Sequence, residues 1–268
     1  MEIGGSTRIL AIIGDPIAQV RTPAIINPLI RAAGLDAVLV PFHVPEARFA
    51  EVVGGIMGLA NLDGLVVTYP FKERALGLVQ ESTRRAHLVG AVNAMRREGD
   101  GHWAGDTFDG VGLSRAVGSR TVVAGAKVLL IGAGGAGRAI GLALAEGAAA
   151  AITVVDLNAE RARILIDQVR ARHPGCTITS GSASAAGYDI FINATPVGMK
   201  PGDGLPVELA PFSRSMTVVD IVPAREPTAL LRKAVAEGAN AISGSAVIEG
   251  QAGAIMEFLL RPKGSATT

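Results

Sequence analysis

The sequence has few of the features that mark secreted, membrane-bound or disulfide-stabilised proteins. Its 268 residues include one cysteine, Cys176, which excludes an internal disulfide and fits a reducing compartment. No apolar run approaches the ~18 residues that a membrane-spanning helix requires. The first residues also lack the basic and then apolar pattern of a secretory signal. We therefore expect a soluble protein of the cytoplasm.

The sequence also has little net charge and few histidines. The 25 basic and 24 acidic residues leave a formal charge of +1, and the basic residues occur in pairs such as Arg84-Arg85 rather than in runs. We therefore expect neither nucleic acid nor a membrane as a partner. The four histidines lack the spacing of a ligand set, so no metal site is predicted.

Apolar residues and glycine, in contrast, are abundant. Hydrophobic residues make up 49% of the chain and charged residues 18%, which is enough apolar surface for a large core. A chain of this length can form two domains or one large one.

The most informative segment is Val128–Gly137, which reads VLLIGAGGAG. An apolar run typical of a buried parallel strand ends in G-x-G-x-x-G, and residues 136–146 are predicted to be a helix. In this motif one glycine makes the tight turn, the next lets the backbone approach a pyrophosphate, and the third lets helix and strand pack closely. The helix start favours a phosphate through its N–H groups and dipole. We expect a dinucleotide to bind the six residues of this turn: Gly132, Ala133, Gly134, Gly135, Ala136 and Gly137.

An acidic residue stands at the distance that this motif requires. The next apolar run, Ala151–Val155, ends at Asp156, ~20 residues beyond the turn, where a carboxylate reaches the ribose hydroxyls of NAD. A carboxylate there repels a 2′-phosphate, so we expect NAD to be preferred over NADP. Arg161 and Arg163 lie close in sequence and leave NADP open as an alternative.

Strand and helix patterns alternate in two series along the chain. The first series has predicted strands at 8–14, 37–43 and 64–68, helices at 23–33 and 45–59, and a hairpin at 91–104. The second has predicted strands at 127–131, 151–155, 189–193 and 216–221, with helices at 109–117, 136–146, 159–172, 227–237 and 245–260.

This alternation predicts an α/β fold with parallel or mostly parallel sheets. We expect two lobes with a ligand cleft between them. The first would be a substrate-binding domain of residues 1–113 together with 243–268. The second would be a Rossmann-type dinucleotide-binding domain of residues 114–242.

Seven segments follow one another along nearly the whole chain: IIGDPIAQVRTP (12–23), VVTYPFKERA (66–75), AVNAM (91–95), GDTFDGVG (105–112), GAGGAGRA (132–139), INATPVGM (192–199) and the helix that contains Gln251. Together they resemble the shikimate dehydrogenase family. T-x-P-F-K, A-V-N and D-G-x-G, in series with the Gly-rich turn, are far more specific than any one of them. The resemblance implies reversible oxidation of a ring hydroxyl on a cyclic carboxylic acid: 3-dehydroshikimate + NAD(P)H ⇌ shikimate + NAD(P)+.

The same resemblance implies roles for individual residues. Lys72 matches the catalytic lysine and Asp109 its aspartate partner, which suits a reaction that removes a hydroxyl proton while hydride leaves. We expect folding to bring these two side chains together, facing the nicotinamide; the alternatives are a surface lysine and a helix cap. The substrate-binding positions that match are Val20, Thr22, Thr68, Asn93 and Gln251. The further cofactor-lining positions that match are Asn193, Thr195, Ile221 and Gly244.

Several positions depart from the family pattern. The S-x-S segment that holds the substrate carboxylate reads Val20-Arg21-Thr22, so one hydroxyl is lost, and Arg21 is either a replacement anchor or a solvated side chain. Val66 replaces an asparagine, and Pro223 stands where a tyrosine often occurs. Asp156-Leu157-Asn158 replaces the Asn-Arg-Ser/Thr patch that many members carry for NADP. The first three changes predict a less polar substrate pocket.

Other functions therefore stay open as alternatives. Quinate or an amino-substituted relative of shikimate could be the substrate. A non-catalytic, NAD-binding regulatory protein is the alternative from another class, motivated by the less polar pocket. A two-lobe dehydrogenase of the folate type also uses a lysine, but the A-V-N and D-G-V-G segments disfavour it. We expect a monomer or a homodimer.

Overall fold

The computed structural model describes residues 2–182, 187–200 and 202–261, and the chain divides into two compact units. The first unit contains the residues up to Phe108 and those from Ala252 onward, and the second runs from Asp109 to Gln251. The expected boundaries were 113 and 242, so residues 109–113 and 243–251 fall in the second unit instead. Residues 1 and 262–268 of the expected first domain lie outside the described residues.

The first unit is built on a six-stranded mixed sheet. Its elements are β1 (Arg8–Gly14), α1 (Thr22–Ala32), β2 (Ala37–His43), α2 (Phe49–Met57), β3 (Leu62–Val67), α3 (Lys72–Leu76), β4 (Glu81–Ser82), α4 (Arg84–Val89), β5 (Ala94–Arg97) and β6 (Trp103–Asp106). The strand order is β2-β1-β3-β5-β6-β4. The pairs β1-β2, β1-β3 and β4-β6 are parallel, whereas β3-β5 and β5-β6 are antiparallel.

Local chemistry explains most of these elements. The apolar strand β1 lies second in the sheet, and Leu10 and Ile13 are fully buried, as expected of a strand covered on both faces. Thr83 caps α4 by accepting a hydrogen bond from Ala86 N at 3.1 Å. The helix predicted over 45–59 is instead a 3₁₀ turn, Glu46–Arg48, followed by α2. The short elements α3, β4 and α4 were not predicted.

The second unit contains the second series of elements. They are α5 (Asp109–Gly118), β7 (Lys127–Ile131), α6 (Gly135–Glu146), β8 (Ala151–Val155), α7 (Ala159–Arg172), β9 (Thr177–Ser180), β10 (Ile190–Asn193), β11 (Thr217–Asp220), α8 (Ala229–Ala236), β12 (Asn240–Ser243) and the first part of α9 (Gly244–Leu260). Two details differ from expectation. The helix predicted over 227–237 is α8, which starts at Ala229 with Thr228 as its cap, and strand β12 was not predicted.

The strand order of the second unit confirms the expected Rossmann-type α/β fold. All six strands pair in parallel in the order β12-β11-β10-β7-β8-β9. Counted from β7, this is the 3-2-1-4-5-6 order of dinucleotide-binding folds. The order reverses between β7 and β10, so ligand binding is expected outside the carboxyl ends of these two strands. Within the described ranges, no helix is long and apolar enough to cross a membrane.

Candidate active site

The Gly-rich turn connects β7 to α6 in the second unit. Gly132 has φ +98°, and a Cβ there would lie 2.9 Å from the carbonyl carbon and oxygen of Ala194. A Cβ on Gly137 would collide with the carbonyl oxygen of Gly132. Gly134, in contrast, has nothing within 4 Å of a Cβ position, and as the residue before α6 it provides no side-chain cap. Two glycines therefore permit close backbone packing, and the third leaves an open face for a ligand.

The residues around the start of α6 present backbone N–H donors. Gly134, Gly135 and Ala136 are partly exposed at the start of α6. Helix α6 begins at Gly135, one residue earlier than predicted. The first N–H groups of a helix have no partner within it, so this turn offers donors and a favourable dipole to a phosphate.

Asp156 fastens the end of β8 to this turn. Its Oδ2 accepts a hydrogen bond from Ala133 N at 2.6 Å, and its Oδ1 accepts one from Asn158 N at 2.7 Å. Each carboxylate oxygen has a second lone pair, so the partly exposed Asp156 retains acceptor capacity for a ribose hydroxyl. Asn158 in turn caps α7 by accepting from Glu160 N at 3.0 Å and Arg161 N at 3.3 Å.

The charges that follow Asp156 are largely paired. Arg163 forms ion pairs with Glu160 at 2.6 Å and with Asp167 at 2.9 Å on the exposed face of α7. Leu157, directly after Asp156, is fully exposed. The environment of Asp156 therefore combines a carboxylate, an apolar side chain and a guanidinium that already has two acidic partners.

Asn193, predicted to line the cofactor, uses its whole side chain within the protein. It is fully buried, and Nδ2 donates to Val197 O and Asp220 Oδ1, both at 3.0 Å. Its Oδ1 accepts from Thr195 N at 3.0 Å and from Thr195 Oγ1 at 2.7 Å. An asparagine amide has two donors and two acceptor lone pairs, so these four bonds complete its capacity.

Asp220 is a buried carboxylate that the sequence reasoning missed. Its Oδ2 accepts from Thr228 Oγ1 at 2.6 Å, and its Oδ1 accepts from Val222 N at 3.2 Å as well as from Asn193. Burial raises the pKa of Asp220 above the ordinary 3.8, although these hydrogen bonds oppose the shift. The predicted Ile221 follows directly. A Cβ on the predicted Gly244 would collide with the carbonyl oxygen of Val222, so α9 starts tightly against this loop.

In the first unit, three predicted residues lie at one edge of the sheet. Thr68 follows β3, and its N–H donates to Ile13 O at 3.0 Å. Lys72 begins α3 four residues later, and its carbonyl accepts from Val92 N at 3.0 Å. Asn93 follows Val92 in the chain, and its carbonyl accepts from Val67 N at 2.8 Å. Backbone pairing therefore gathers Thr68, Lys72 and Asn93 where β3 ends and β5 is about to begin.

The side chain of Asn93 is almost completely buried. Its Oδ1 accepts a hydrogen bond from Phe108 N at 2.9 Å, so it fixes the chain just after β6. The neighbouring carboxylate of Asp106 is held by Thr83 Oγ1 and by an Arg85 guanidinium nitrogen, each at 2.6 Å. This second cluster was also missed, because its members come from two elements, α4 with its cap and β6, that are separated along the chain.

The segment that replaces the S-x-S pattern opens α1. Thr22 is buried at the first position of the helix, and Val20 is half-buried in the preceding turn. The Nε atom of Arg21 is buried and makes no hydrogen bond within the described residues. The structure thus offers one hydroxyl and one partly buried guanidinium in this segment.

Asp109 and Gln251 lie in the second unit, where glycines set their positions. Asp109 is the buried first residue of α5, and Gln251 is buried on α9. A Cβ on Gly110 would lie 2.6 Å from Ala139 O of α6, and one on Gly112 would lie 2.5 Å from Val247 O of α9. The glycines of D-G-V-G therefore let α5 pack directly against two helices, which fixes the residue that precedes them.

No three acidic, histidine or cysteine side chains in the described part of the chain come together as a set that could hold a metal ion.

Comparison with known proteins assigns the chain to a family. Residues 12–95 match the shikimate dehydrogenase substrate-binding domain, and residues 116–223 match the shikimate / quinate 5-dehydrogenase model. The shikimate dehydrogenase (NADP(+)) of Methanothermobacter thermautotrophicus is 36% identical over 90% of this chain and 87% of its own length. The chain belongs to the shikimate dehydrogenase family. A second relative, from Geobacter metallireducens and also named shikimate dehydrogenase (NADP(+)), is 32% identical over 94% of this chain and 90% of its own.

Solved structures agree with this membership. Shikimate dehydrogenase from Aquifex aeolicus has a TM-score of 0.84 at 27% identity, over 98% of this chain and 96% of its own. The Listeria monocytogenes shikimate 5-dehydrogenase, solved with shikimate and NAD, has a TM-score of 0.80 at 26% identity, covering 98% and 95%. The 5-ketofructose reductase of a Gluconobacter strain has a TM-score of 0.79 at 28% identity, covering 97% and 95%. As a family member, the chain is an NAD(P)-dependent oxidoreductase that acts on a CH–OH group.

Proposed function

We propose that the chain reversibly oxidises a ring hydroxyl of shikimate or a closely related cyclic hydroxy acid. The observation that carries the proposal is the gathering of Thr68, Lys72 and Asn93 at one sheet edge of the first unit, in a member of this family. Hydroxyl, ammonium and amide groups are suited to bind a substrate that carries several hydroxyls. The Gly-rich turn of the second unit fits the dinucleotide that the reaction requires.

Lys72 is the proposed general base. In the oxidising direction the C–H bond breaks and its electron pair leaves as hydride, while the O–H proton passes to the lysine nitrogen and a C=O bond forms. When bound, the nicotinamide cofactor supplies the hydride acceptor. Asp109 is the second proposed catalytic residue, held at the first turn of α5 by the packing of Gly110. In the reverse direction, protonated Lys72 returns the proton to the alkoxide.

The proposed substrate-binding residues divide into two groups. Asn93 and Gln251 are buried amides, and Thr22 and Thr68 provide hydroxyls. Val20 provides only an apolar contact, so the proposed hold on a carboxylate rests on Thr22 with Arg21. This arrangement predicts that the pocket tolerates a change in the substrate's carboxylate more readily than a pocket with two serines at these positions.

We also propose that NAD is preferred over NADP. A 2′-phosphate placed near Asp156 would meet a carboxylate, an apolar Leu157 and an Arg163 that already pairs with two acidic residues. The Methanothermobacter and Geobacter relatives carry NADP(+) in their names, so the preference rests on these residues of this chain. The predicted cytoplasmic location and the choice between monomer and homodimer stay predictions, the latter open to light scattering.

The decisive experiment is a turnover panel in the purified chain. Shikimate, quinate and aminoshikimate should be compared with NAD and NADP, together with reduction of 5-ketofructose, because the Gluconobacter neighbour is named for that substrate. We expect the highest kcat/KM for a cyclic hydroxy acid with NAD. Nucleotide binding without turnover of any compound would favour the regulatory alternative, and efficient turnover of 5-ketofructose alone would replace the substrate class.

A further inference from the structure

Asp220 lies in an unusual position for an acidic residue. It is fully buried at the end of β11 and, among the described residues, has hydrogen-bond donors around it but no cation. Removing a carboxylate from water is costly unless it is paired or well hydrogen-bonded. Three donors supply these hydrogen bonds, so the carboxylate and its donors hold one another in place.

The donors come from three segments near the carboxyl ends of the strands in the second unit. Thr228, at 2.6 Å, caps α8 and also accepts a hydrogen bond from Leu231 N at 3.3 Å. Val222 N, at 3.2 Å, belongs to the loop that leaves β11. Asn193, at 3.0 Å, ends the neighbouring strand β10. One carboxylate therefore joins two consecutive strand ends and the start of a helix.

Asn193 extends this connection to the loop after β10. Its remaining hydrogen bonds hold Thr195 and the carbonyl of Val197, and Thr195 Oγ1 also accepts from Val197 N at 3.2 Å. Gly198, with φ +105°, allows the loop to pass close to Thr228. We call the side chains of Asn193, Thr195, Asp220 and Thr228 the Asp220 network.

The loop held by this network touches the Gly-rich turn. Ala194 N donates to Ile131 O at 2.7 Å, at the end of β7. A Cβ on Gly132 would lie 2.9 Å from the Ala194 carbonyl and 3.1 Å from Thr195 Cγ2. The backbone around Gly132 therefore rests directly on a loop whose shape Asp220 determines through Asn193.

We propose that Asp220 is a positioning residue for dinucleotide binding, which acts through Asn193 and Thr195 on the loop that supports the Gly-rich turn. It touches no cofactor in this proposal. The inference depends on the proposed use of that turn for a dinucleotide. Loss of the carboxylate releases Asn193 and Thr228, so the turn samples positions that do not match a pyrophosphate. Cofactor affinity should then fall more than the rate of the chemical step.

The test compares Asp220→Ala with Asp220→Asn and with a control, Asp189→Ala. Asparagine can still accept from Asn193 and Val222 and can donate to Thr228 Oγ1, so it should largely preserve the network. Asp189 also accepts a backbone hydrogen bond, from Lys127 N at 2.8 Å, but it precedes β10 at the opposite edge of the same sheet. It therefore reports on losing a carboxylate from this sheet without touching the network.

Affinity for NADH is measured by fluorescence titration of folded protein without substrate, and kcat and KM follow from steady-state assays. We expect Asp220→Ala to raise the Kd and the KM for the nucleotide at least about tenfold, the effect of losing a hydrogen bond to a charged group. The kcat at saturating cofactor should fall less. Asp220→Asn should recover most of the affinity, and Asp189→Ala should match the wild type.

Unchanged NADH affinity in folded Asp220→Ala would overturn the proposal. If that variant does not fold, Thr228→Val removes one donor and should weaken NADH severalfold, and an unchanged Kd in Thr228→Val would equally overturn it. A wild-type chain that binds neither NADH nor NADPH would instead refute the proposed function, so the two failures are distinguishable.

Discussion

Replacement of Gly110 by alanine tests how α5 holds Asp109. The added Cβ would lie 2.6 Å from Ala139 O and 2.9 Å from Ala143 Cβ. Carbon atoms in good contact lie ~3.5–4.0 Å apart, so α5 would have to move by roughly 1 Å. Because both obstacles belong to the backbone or to a Cβ of α6, no side-chain rotation relieves the contact.

The expected magnitude follows from two opposing effects. Overpacking of this kind costs about 1–3 kcal/mol. Alanine regains ~1 kcal/mol over glycine inside a helix. We therefore expect a net loss of up to about 2 kcal/mol in the free energy of unfolding. A displacement of ~1 Å at a catalytic group can lower turnover ~100-fold, so kcat should fall by more than the loss of stability explains.

The matched control is Gly118→Ala in the same helix. Nothing lies within 4 Å of a Cβ at Gly118, so this variant gains helix propensity without a clash. Thermal unfolding should show a lower Tm for Gly110→Ala and an equal or higher Tm for Gly118→Ala, while kcat should fall only in the former. Gly110→Ala with wild-type Tm and turnover would show that α5 is not fixed by this contact.

Four further predictions concern single side chains. Lys72→Ala should lower turnover ~10²–10⁴-fold and leave NAD(H) affinity unchanged, whereas Lys127→Ala, at the exposed start of β7, should change neither. Asp156→Ser should shift the ratio of kcat/KM for NADP to NAD about tenfold toward NADP, because it removes the charge opposed to a 2′-phosphate. Glu98→Ala leaves the buried Arg96, now 2.5 Å from that carboxylate, without its partner, and should cost ~3–5 kcal/mol in urea unfolding. Because burial raises the pKa of Asp220, the folded state takes up a proton at higher pH than the unfolded chain; wild-type stability relative to Asp220→Asn should rise as pH falls from 7 toward 4.

Each of these expectations has a contrary result. Near-full activity in Lys72→Ala would remove that residue from catalysis, and an unchanged cofactor ratio in Asp156→Ser would place the nucleotide selectivity elsewhere. Glu98→Ala with wild-type stability would mean that the buried guanidinium of Arg96 needs no acidic partner. Its existing hydrogen bond from Nη1 to Phe258 O, at 3.2 Å, would then be enough. A stability difference between wild type and Asp220→Asn that does not change with pH would show that Asp220 has the same proton affinity in both states.

The Gly-rich turn could be predicted because its chemistry is local. The motif lies within six residues and contains Gly132, Gly134 and Gly137. The sequence patterns on either side predict the strand and the helix that the turn connects. The long strands and helices were predictable for a similar reason, since the pattern of their apolar residues extends over several helical turns or over a whole strand. Helices α3 and α4 are only one or two turns long, and such short segments carry no readable period. Their formation depends on tertiary packing that the sequence does not display.

The D-G-V-G segment could be recognised but not explained from the sequence. Its glycines fall within the predicted helix 109–117, where glycine only weakens helix formation, yet Gly110 and Gly112 are the points where α5 meets α6 and α9. The partner atoms, on Ala139 and Val247, are far away along the chain, so only the folded structure shows what excludes a side chain. The buried pair of Arg96 and Glu98 was missed because Glu98 follows the end of β5 in the hairpin turn, where a charged residue is usually exposed.

Asn193 shows the difference between a residue that a family retains and a residue that touches a ligand. The resemblance placed it among cofactor-lining positions, but every donor and acceptor of its amide is engaged by Thr195, Val197 and Asp220. A contact with the dinucleotide is therefore predicted for the backbone around Asn193 rather than for its side chain. Asp156 combines both roles, because its carboxylate accepts a hydrogen bond from Ala133 N in the turn and retains lone pairs for a ribose. In this unit, the residues that hold the loops in shape and those that would bind the nucleotide form one connected set, so substitutions at either kind should first appear as lost cofactor affinity.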